Sequence, residues 1–427
     1  MQKQILLQAL LSVWIVALFA TCGEGDESEE GSDDDDNDST EMPEGVVEGE
    51  SGYFHRDAIE CFSGDTKPRK GETIFVSPEG SDENDGLSAA NPLKTFSSAL
   101  CNARAGQTIK VLPGIYEESV IIVGFGEEDS PISIIGVVEG GKKPIFDGGG
   151  WLTMGIGIAE SRNFIIENIE FRNYTDEGLS VIVSSEIEIR GNVFTKNGFE
   201  SINPDAEGEG FGVLISDVSD FVVEDNEAFD NGPNEKRRKD GLLGTAINLF
   251  NVEDGLVRGN HAYNNFGCGI LIEDSRDVLV EDNEVNDNEL NAAGDYWDSG
   301  IWLDGGYNVK VVGNNIHNNK GPGIQVSDTE IKYPYESCLY EISGNVIEDN
   351  YWALFVNNFG ACPLPPENAL IYEDNDVSGN SYAGDDEYSI DATYRDGEIL
   401  CFDWPCGENQ PCVDNSDFVP GERVCEK

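Results

Sequence analysis

The sequence predicts an all-β solenoid of stacked coils, and three recurring features predict it. An asparagine is followed by a second one five residues later, eight times over: Asn168, Asn192, Asn226, Asn260, Asn283, Asn314, Asn345 and Asn375 lead, and Asn173, Asn197, Asn231, Asn265, Asn288, Asn319, Asn350 and Asn380 follow. Three residues ahead of each leader stands an apolar, mostly β-branched residue (Ile165, Ile189, Val223, Val257, Val280, Val311, Ile342, Tyr372). Two residues after it stand Phe194, Ala228, Ala262, Val285, Ile316, Ile347 and Val377, and only Glu170 of the first unit departs. Immediately before the leader, the later units carry Gly191, Asp225, Gly259, Asp282, Gly313, Gly344 and Asp374. These residue types tolerate left-handed backbone, so each unit turns a corner there. A self-similar unit this short, made of β-forming runs and Gly/Asn/Asp turns, means coils stacked on one another.

After the second asparagine comes another apolar run, such as Gly269-Ile270-Leu271-Ile272, Gly300-Ile301-Trp302-Leu303 or Gly323-Ile324-Gln325-Val326, so each coil supplies at least two strands. Eight to eleven coils stacked at ~4.8 Å make a rod roughly 40 to 50 Å long. Asparagines repeated at one corner can hydrogen-bond from coil to coil as a ladder.

Upstream, residues 1–21 read as a secretory signal: Lys3 precedes an apolar stretch from Ile5 to Ala20 that is short for a membrane-spanning helix. The stretch runs into Phe19-Ala20-Thr21-Cys22-Gly23, which resembles a bacterial lipoprotein box with imperfect matches at Phe19 and Thr21, so lipidation of Cys22 and plain release are both open. Glu24 to Glu50 holds fourteen acidic and no basic residues, the composition of a self-repelling disordered tether over residues 22–50. An N-terminal cap follows over residues 51–110, in which Phe96, Ala99, Leu100 and Ala103 give one apolar helical face and Gly106 suits the helix stop.

These patterns resemble a right-handed parallel β-helix of the pectate-lyase-like superfamily over roughly Thr73 to Tyr394. The blocks Thr73-Ile-Phe-Val-Ser-Pro-Glu-Gly-Ser-Asp82, Asn91-Pro-Leu-Lys-Thr-Phe-Ser-Ser-Ala-Leu100 and Gly106-Gln-Thr-Ile-Lys-Val-Leu-Pro-Gly-Ile-Tyr116 are similar to the openings of secreted β-helix proteins, polysaccharide lyases among them. There a strand and a short helix plug the end of the rod. The resemblance implies a single-stranded β-helix over residues 111–394 with a cysteine-rich C-terminal cap over residues 395–427. Fold does not fix function.

The ten cysteines of an exported chain should mostly pair. Cys61 and Cys101 could pin the N-terminal cap, Cys338 and Cys362 lie in insertions of successive coils, and Cys401, Cys406, Cys412 and Cys425 would staple the tail, metal binding being the alternative for that group. Cys268, inside an apolar coil run, is the expected core thiol.

With 83 acidic against 26 basic side chains and a formal net charge of −57, the surface repels nucleic acid and free polyanions. Salt adaptation explains such a surface; calcium, which bridges protein and substrate carboxylates, is the sharper explanation. Three insertions, Gly198 to Gly212, Gly232 to Ala246 and Glu289 to Gly300, leave the rod at one corner and would wall a groove, because functional residues concentrate in loops on a rigid scaffold. Within them, Lys236, Arg237, Arg238 and Lys239 form the one strongly cationic run, suited to neutralising a uronate or acting as base beside it. Glu207, Glu209, Asp240, Asp295, Asp298 and Asp304 could hold calcium, and Tyr296, Trp297 and Trp302 could stack on sugars. Each has a plainer reading: the cations can pair with neighbouring carboxylates, Trp302 can pack, and Asp298 and Asp304 border glycines as turn formers.

The motifs of known β-helix enzymes are a stricter test. The paired aspartates and Gly-His-Gly of polygalacturonase-like hydrolases and the Asp-Pro-His of alginate epimerases are missing, and Glu207-Gly-Glu209 is followed by Leu214 where the chondroitinase and alginate-lyase group carries lysine. His55, His261 and His317 are scattered, and Gly148-Gly149-Gly150 is followed by no lysine, so neither zinc, a triad nor a nucleotide loop is indicated. Two readings follow. One is an exported lyase of acidic polysaccharide assisted by calcium; the other is a noncatalytic β-helix that binds glycan or decorates the cell envelope. Both place the protein at the cell surface or outside the cell, touching a membrane only through a lipid on Cys22, with polysaccharide and no nucleic acid as partner. Capped ends argue for a monomer.

Overall fold

The computed structural model describes residues 46–49, 52–55, 59–64, 73–199, 210–234, 244–288, 299–327, 339–350, 352–356 and 370–380. Its body is a rod of parallel strands in a 17-stranded and a 10-stranded sheet. The ten-stranded sheet takes one three-residue strand from most coils, such as Val193–Thr195, Glu227–Phe229 and His261–Tyr263. The larger sheet takes the long strands Glu177–Arg190, Phe211–Glu224, Ile270–Glu281 and Ile301–Val312. Each long strand bends around one corner, where positive-φ residues such as Asp217 and Asp274 sit. All these neighbours pair in parallel, one coil onto the next.

The interior is a set of columns. Ile156, Leu179, Val213, Ile247, Ile270, Ile301, Ile324 and Leu354 lie in successive register and belong to one core. At the N-terminal end a second column is aromatic: Tyr116, Phe146, Phe171 and Phe194 stack at centroid spacings of 5.2, 5.4 and 5.4 Å. Ala228, Ala262, Val285, Ile316 and Ile347 continue it in register. Burying such side chains is worth about 1.5–3 kcal/mol each for the larger ones, which is what holds the coils together.

Both asparagine ladders form, from Asn192 and Asn197 onward. Each amide donates to the Oδ1 of the next coil, from Asn192 to Asn226 at 3.1 Å through Asn345 to Asn375 at 2.9 Å. The second ladder runs from Asn197 to Asn231 at 3.1 Å through Asn350 to Asn380 at 3.1 Å. The first unit is a correction to the sequence reading. Val193 pairs with Glu170, so Asn168 and Asn173 sit one position before the ladders, at the left-handed corners with φ of 60° and 56°. Ile169 and Tyr174 take the ladder positions, their N–H groups donating to Asn192 Oδ1 and Asn197 Oδ1. The anomaly at Glu170 disappears, since the inward residue of that coil is Phe171.

The cap contains the expected helix, α1, at Phe96–Leu100, with Phe96, Ala99 and Leu100 buried. It ends before Gly106, because Asn102 Nδ2 donates back to Ser98 O and Ala103 N to Leu100 O. Gly106 instead takes a positive φ of 78° at the turn into Thr108–Val111. Cys61 and Cys101 form the expected disulfide, with Cα atoms 5.3 Å apart. At the end of the acidic tether, Val46–Gly49 pairs antiparallel with Gly52–His55, β-forming residues overriding the local charge. Cys22, Cys338, Cys362, Cys401, Cys406, Cys412 and Cys425 lie outside the described residues. No helix among the described residues is long and apolar enough to cross a membrane.

Candidate functional site

The two outer sides of the long strands differ. In the second half of each strand exposure alternates, and charged outward residues pair from coil to coil: Arg190 and Arg258 flank Glu224, and Arg276 pairs with Glu253. Such half-exposed pairs contribute little each. In the first half both faces are buried. Val213 and Ile215 are core residues, yet Leu214 and Ser216 between them are 7% and 1% exposed.

This buried outer face is a grid of three columns. Thr245, Cys268 and Ser299 stand one coil apart in the first, and Leu214, Asn248, Leu271, Trp302 and Gln325 in the second. Ser216, Phe250, Glu273 and Asp304 stand in the third. Cys268, Leu271 and Trp302 pack together apart from the main core, which fixes these columns on the outer side. The insertion intervals 200–209, 235–243 and 289–298 lie outside the described residues.

Two features of the grid carry chemistry. Glu273 and Asp304 are direct neighbours in the ladder, each 6% exposed. Carboxylates one strand spacing apart, about 4.8 Å, repel unless a cation or a proton lies between them. Secondly, Thr245 Oγ1, Asn248 Oδ1 and Ser299 Oγ are buried with no hydrogen-bond partner, at a cost of about 1–3 kcal/mol for each such group.

Of the residues singled out from the sequence, Trp302 and Asp304 are on this face, with Trp302 fully buried. Lys236, Arg237, Arg238, Lys239, Asp240, Glu207, Glu209, Asp295, Tyr296, Trp297 and Asp298 lie outside the described residues. Among the described residues, no three His, Cys, Asp or Glu side chains form a metal-holding group. Glu273 and Asn248 were missed by sequence reasoning. Aligning Gly269-to-Glu273 on Gly300-to-Asp304 would have paired the two acids, since both stand four residues after the glycine that opens the strand.

The fold and this face define a parallel β-helix with a buried, partly acidic outer sheet face. The chain belongs to the family described as the right handed beta helix region, whose model matches residues 154–333 and 291–399, together more than half of the chain. Among curated proteins it is similar to the uncharacterized protein YwoF of Bacillus subtilis (strain 168), 24% identical over 347 residues, covering 72% of this chain and 70% of that protein. Among solved structures it resembles pectate lyase Pel9A, with a TM-score of 0.50 and 16% identity over 77% of this chain and 83% of that one. It also resembles an alginate lyase from Paenibacillus sp. str. FPU-7, with a TM-score of 0.49 and 14% identity over 67% of this chain and 94% of that one.

Proposed function

We propose that the protein is an exported, carbohydrate-directed β-helix that cleaves an acidic, uronate-containing polysaccharide by calcium-assisted β-elimination. The observation that carries this reading is the in-register pair Glu273 and Asp304 beside Trp302 on one outer sheet face. A pectate lyase sharing the fold supports it. So does the leader-like run Ile5 to Ala20, which supports export, with lipidation at Cys22 as the anchoring option. The donor set suits calcium, a cation that takes six to eight oxygens. Glu273 and Asp304 would supply carboxylates, and Asp240, Asp295 and Asp298, from the insertions read in the sequence, are the further candidate donors. Bound there, the ion would neutralise the uronate carboxylate and so acidify the adjacent C–H.

In the elimination, a side chain of the Lys236 to Lys239 run takes the proton from the carbon next to the carboxylate. The electron pair left behind forms a carbon–carbon double bond as the bond to the leaving sugar oxygen breaks, and that oxygen departs as an alcohol after gaining a proton. One observation favours the second reading, a noncatalytic glycan-binding β-helix: among the described residues this outer face carries no lysine, arginine or histidine. The test incubates the full chain with pectate, alginate and chondroitin, with calcium or chelator, and follows the ultraviolet absorbance of unsaturated uronates. A calcium-dependent rise is expected. No rise on any of the three, with retained binding on a glycan array, overturns the lyase in favour of the binding protein.

A further inference from the structure

The strand Ile59–Phe62 stands where the acidic segment Glu24 to Glu50 leads into the rod. It pairs in parallel with Val120–Val123, placing Cys61 beside Ile122 and Phe62 beside Val123, and Ser63 N extends the ladder by donating to Val123 O at 3.1 Å. Four residues make a short ladder, and little else holds them. Glu60, Ser63 and Gly64 are exposed. Phe62 is half-buried on the outer side against Val123, Ala159 and Ile182, while Cys61 is buried in the main core. From there Cys61 is bonded to Cys101, the C-cap of α1.

Both anchors of this strand are fixed without it. In α1 the Thr95 hydroxyl accepts from Ser98 N, the Glu118 carboxylate accepts from Phe96 N and Ser97 N, and Asn102 Nδ2 donates to Ser98 O. Its residues Phe96, Ala99 and Leu100 are buried in the core. Val120–Val123 has a second neighbour in Met154–Ala159, with Val120 beside Ile156 and Ile122 beside Ile158.

We infer that Ile59–Phe62 is a strap, a strand fastened onto an otherwise complete rod end by the Cys61–Cys101 bond, which comes loose without that bond while α1 and the coils stay in place. Fixing each of its residues costs backbone entropy, and a terminal strand held by a short ladder opens locally, well below global unfolding. The bond closes a loop across a sequence separation of 40 and so removes most of those open states. Two consequences give the strap a role. A pull on the acidic segment upstream reaches α1 through a covalent bond instead of peeling the strand away. The fastened strap also keeps the edge of Val120–Val123 paired and the apolar patch of Val123, Ala159 and Ile182 under Phe62, where a loose one would leave an open strand edge beside exposed apolar surface.

The test compares the full chain with its double variant Cys61→Ser, Cys101→Ser by hydrogen exchange and thermal unfolding. In the variant, amide exchange over residues 59–63 is expected to speed up by about a hundredfold or more. Residues 96–101 and 154–159 should exchange as in the parent, and the main unfolding transition should remain. Parent-like exchange over 59–63 in the variant overturns the strap, because the ladder and Phe62 then hold the strand unaided. Faster exchange through 96–101 and 154–159 as well overturns it from the other side, since the bond then belongs to the cooperative unit of the rod. Should the variant fail to fold, reduction of the folded parent, with the opened pair identified by alkylation and mass spectrometry, makes the same comparison and is read by the same outcomes.

Discussion

Asn226 and Asn260 occupy the same corner on successive coils, and Asn260 Oδ1 accepts from both the backbone N–H of Asn226, at 3.0 Å, and its Nδ2, at 3.0 Å. The Nδ2 of Asn260 in turn donates to Val223 O and to Asn283 Oδ1, each at 2.9 Å. One buried amide therefore closes four hydrogen bonds between three coils. Replacing Asn260 by alanine strands several of them inside the rod and is expected to cost about 3–5 kcal/mol. Asn375 is half-buried on the last described coil, where its Oδ1 accepts from Asn345 N and Nδ2 at 3.0 and 2.9 Å and its Nδ2 donates to Ile342 O, so Asn375→Ala should cost less, about 2 kcal/mol. Urea midpoints of the two variants decide it. Equal losses would mean that the ladder fills space without holding coils together.

The left-handed corners give a cleaner comparison. Gly259 has φ +63°, and a Cβ there would lie 2.6 Å from Asp225 Oδ1, whereas Gly344 has φ +65° with nothing within 4 Å. Gly344→Ala isolates the backbone cost, about 1–2 kcal/mol. Gly259→Ala adds the displacement of the Asp225 carboxylate and should lose distinctly more. Thermal unfolding of the pair would reject this account if the two alanines cost the same.

The rod was legible because each coil repeats one local rule, and the error in it is informative. The first asparagine pair satisfied the five-residue spacing by occupying the left-handed corners, which accept asparagine as readily as the ladder does. Glu170 was the warning, since an inward position cannot be a glutamate when Phe171 stands beside it in register with Phe194. The site was less legible. Trp302 and Asp304 were found as residue types, but that Trp302 leaves the main core while Ile301 and Leu303 stay in it depends on strand register. Glu273 became visible only as the ladder neighbour of Asp304. Orphaned groups such as Asn248 Oδ1 have no sequence signal, because satisfaction is a property of neighbours.

Two carboxyls near α1 and the aromatic column should respond to pH in opposite senses. Partial burial pushes Asp147 up, but hydrogen bonds from Asn173 Nδ2 at 2.9 Å and Arg172 Nε at 2.8 Å outweigh it and leave its pKa lowered. Its contribution is complete above the ordinary value of 3.8 and is lost as pH falls through the lowered one. Asp147→Asn should then cost about 1 kcal/mol at neutral pH and nothing in strong acid. Glu118 accepts from the N–H groups of Phe96 at 2.7 Å and Ser97 at 2.9 Å, yet burial raises its pKa. Its protonated form is the one the fold favours, so stability falls as pH rises from the ordinary 4.5 through the raised value. Stability–pH curves for Asp147→Asn and Glu118→Gln should flatten on opposite sides of the carboxylate range, and flattening on the same side would contradict the assignment.

The acidic pair makes the calcium proposal testable without any substrate. Glu273 and Asp304, buried one coil apart, would be two ligands of an ion that the unfolded chain does not gather. Ligand that binds only the folded state stabilises it by about 2.7 kcal/mol at a hundred times Kd, which for a chain of this size raises Tm by several degrees. Calcium should therefore raise the Tm of the parent protein, and magnesium, which demands tighter octahedral geometry, should do less. Glu273→Gln and Asp304→Asn each remove one charged ligand, so each should weaken or abolish the response to calcium. A parent whose Tm ignores calcium, or variants that respond as the parent does, would leave the pair as a structural contact and move any calcium site to other carboxylates of the chain.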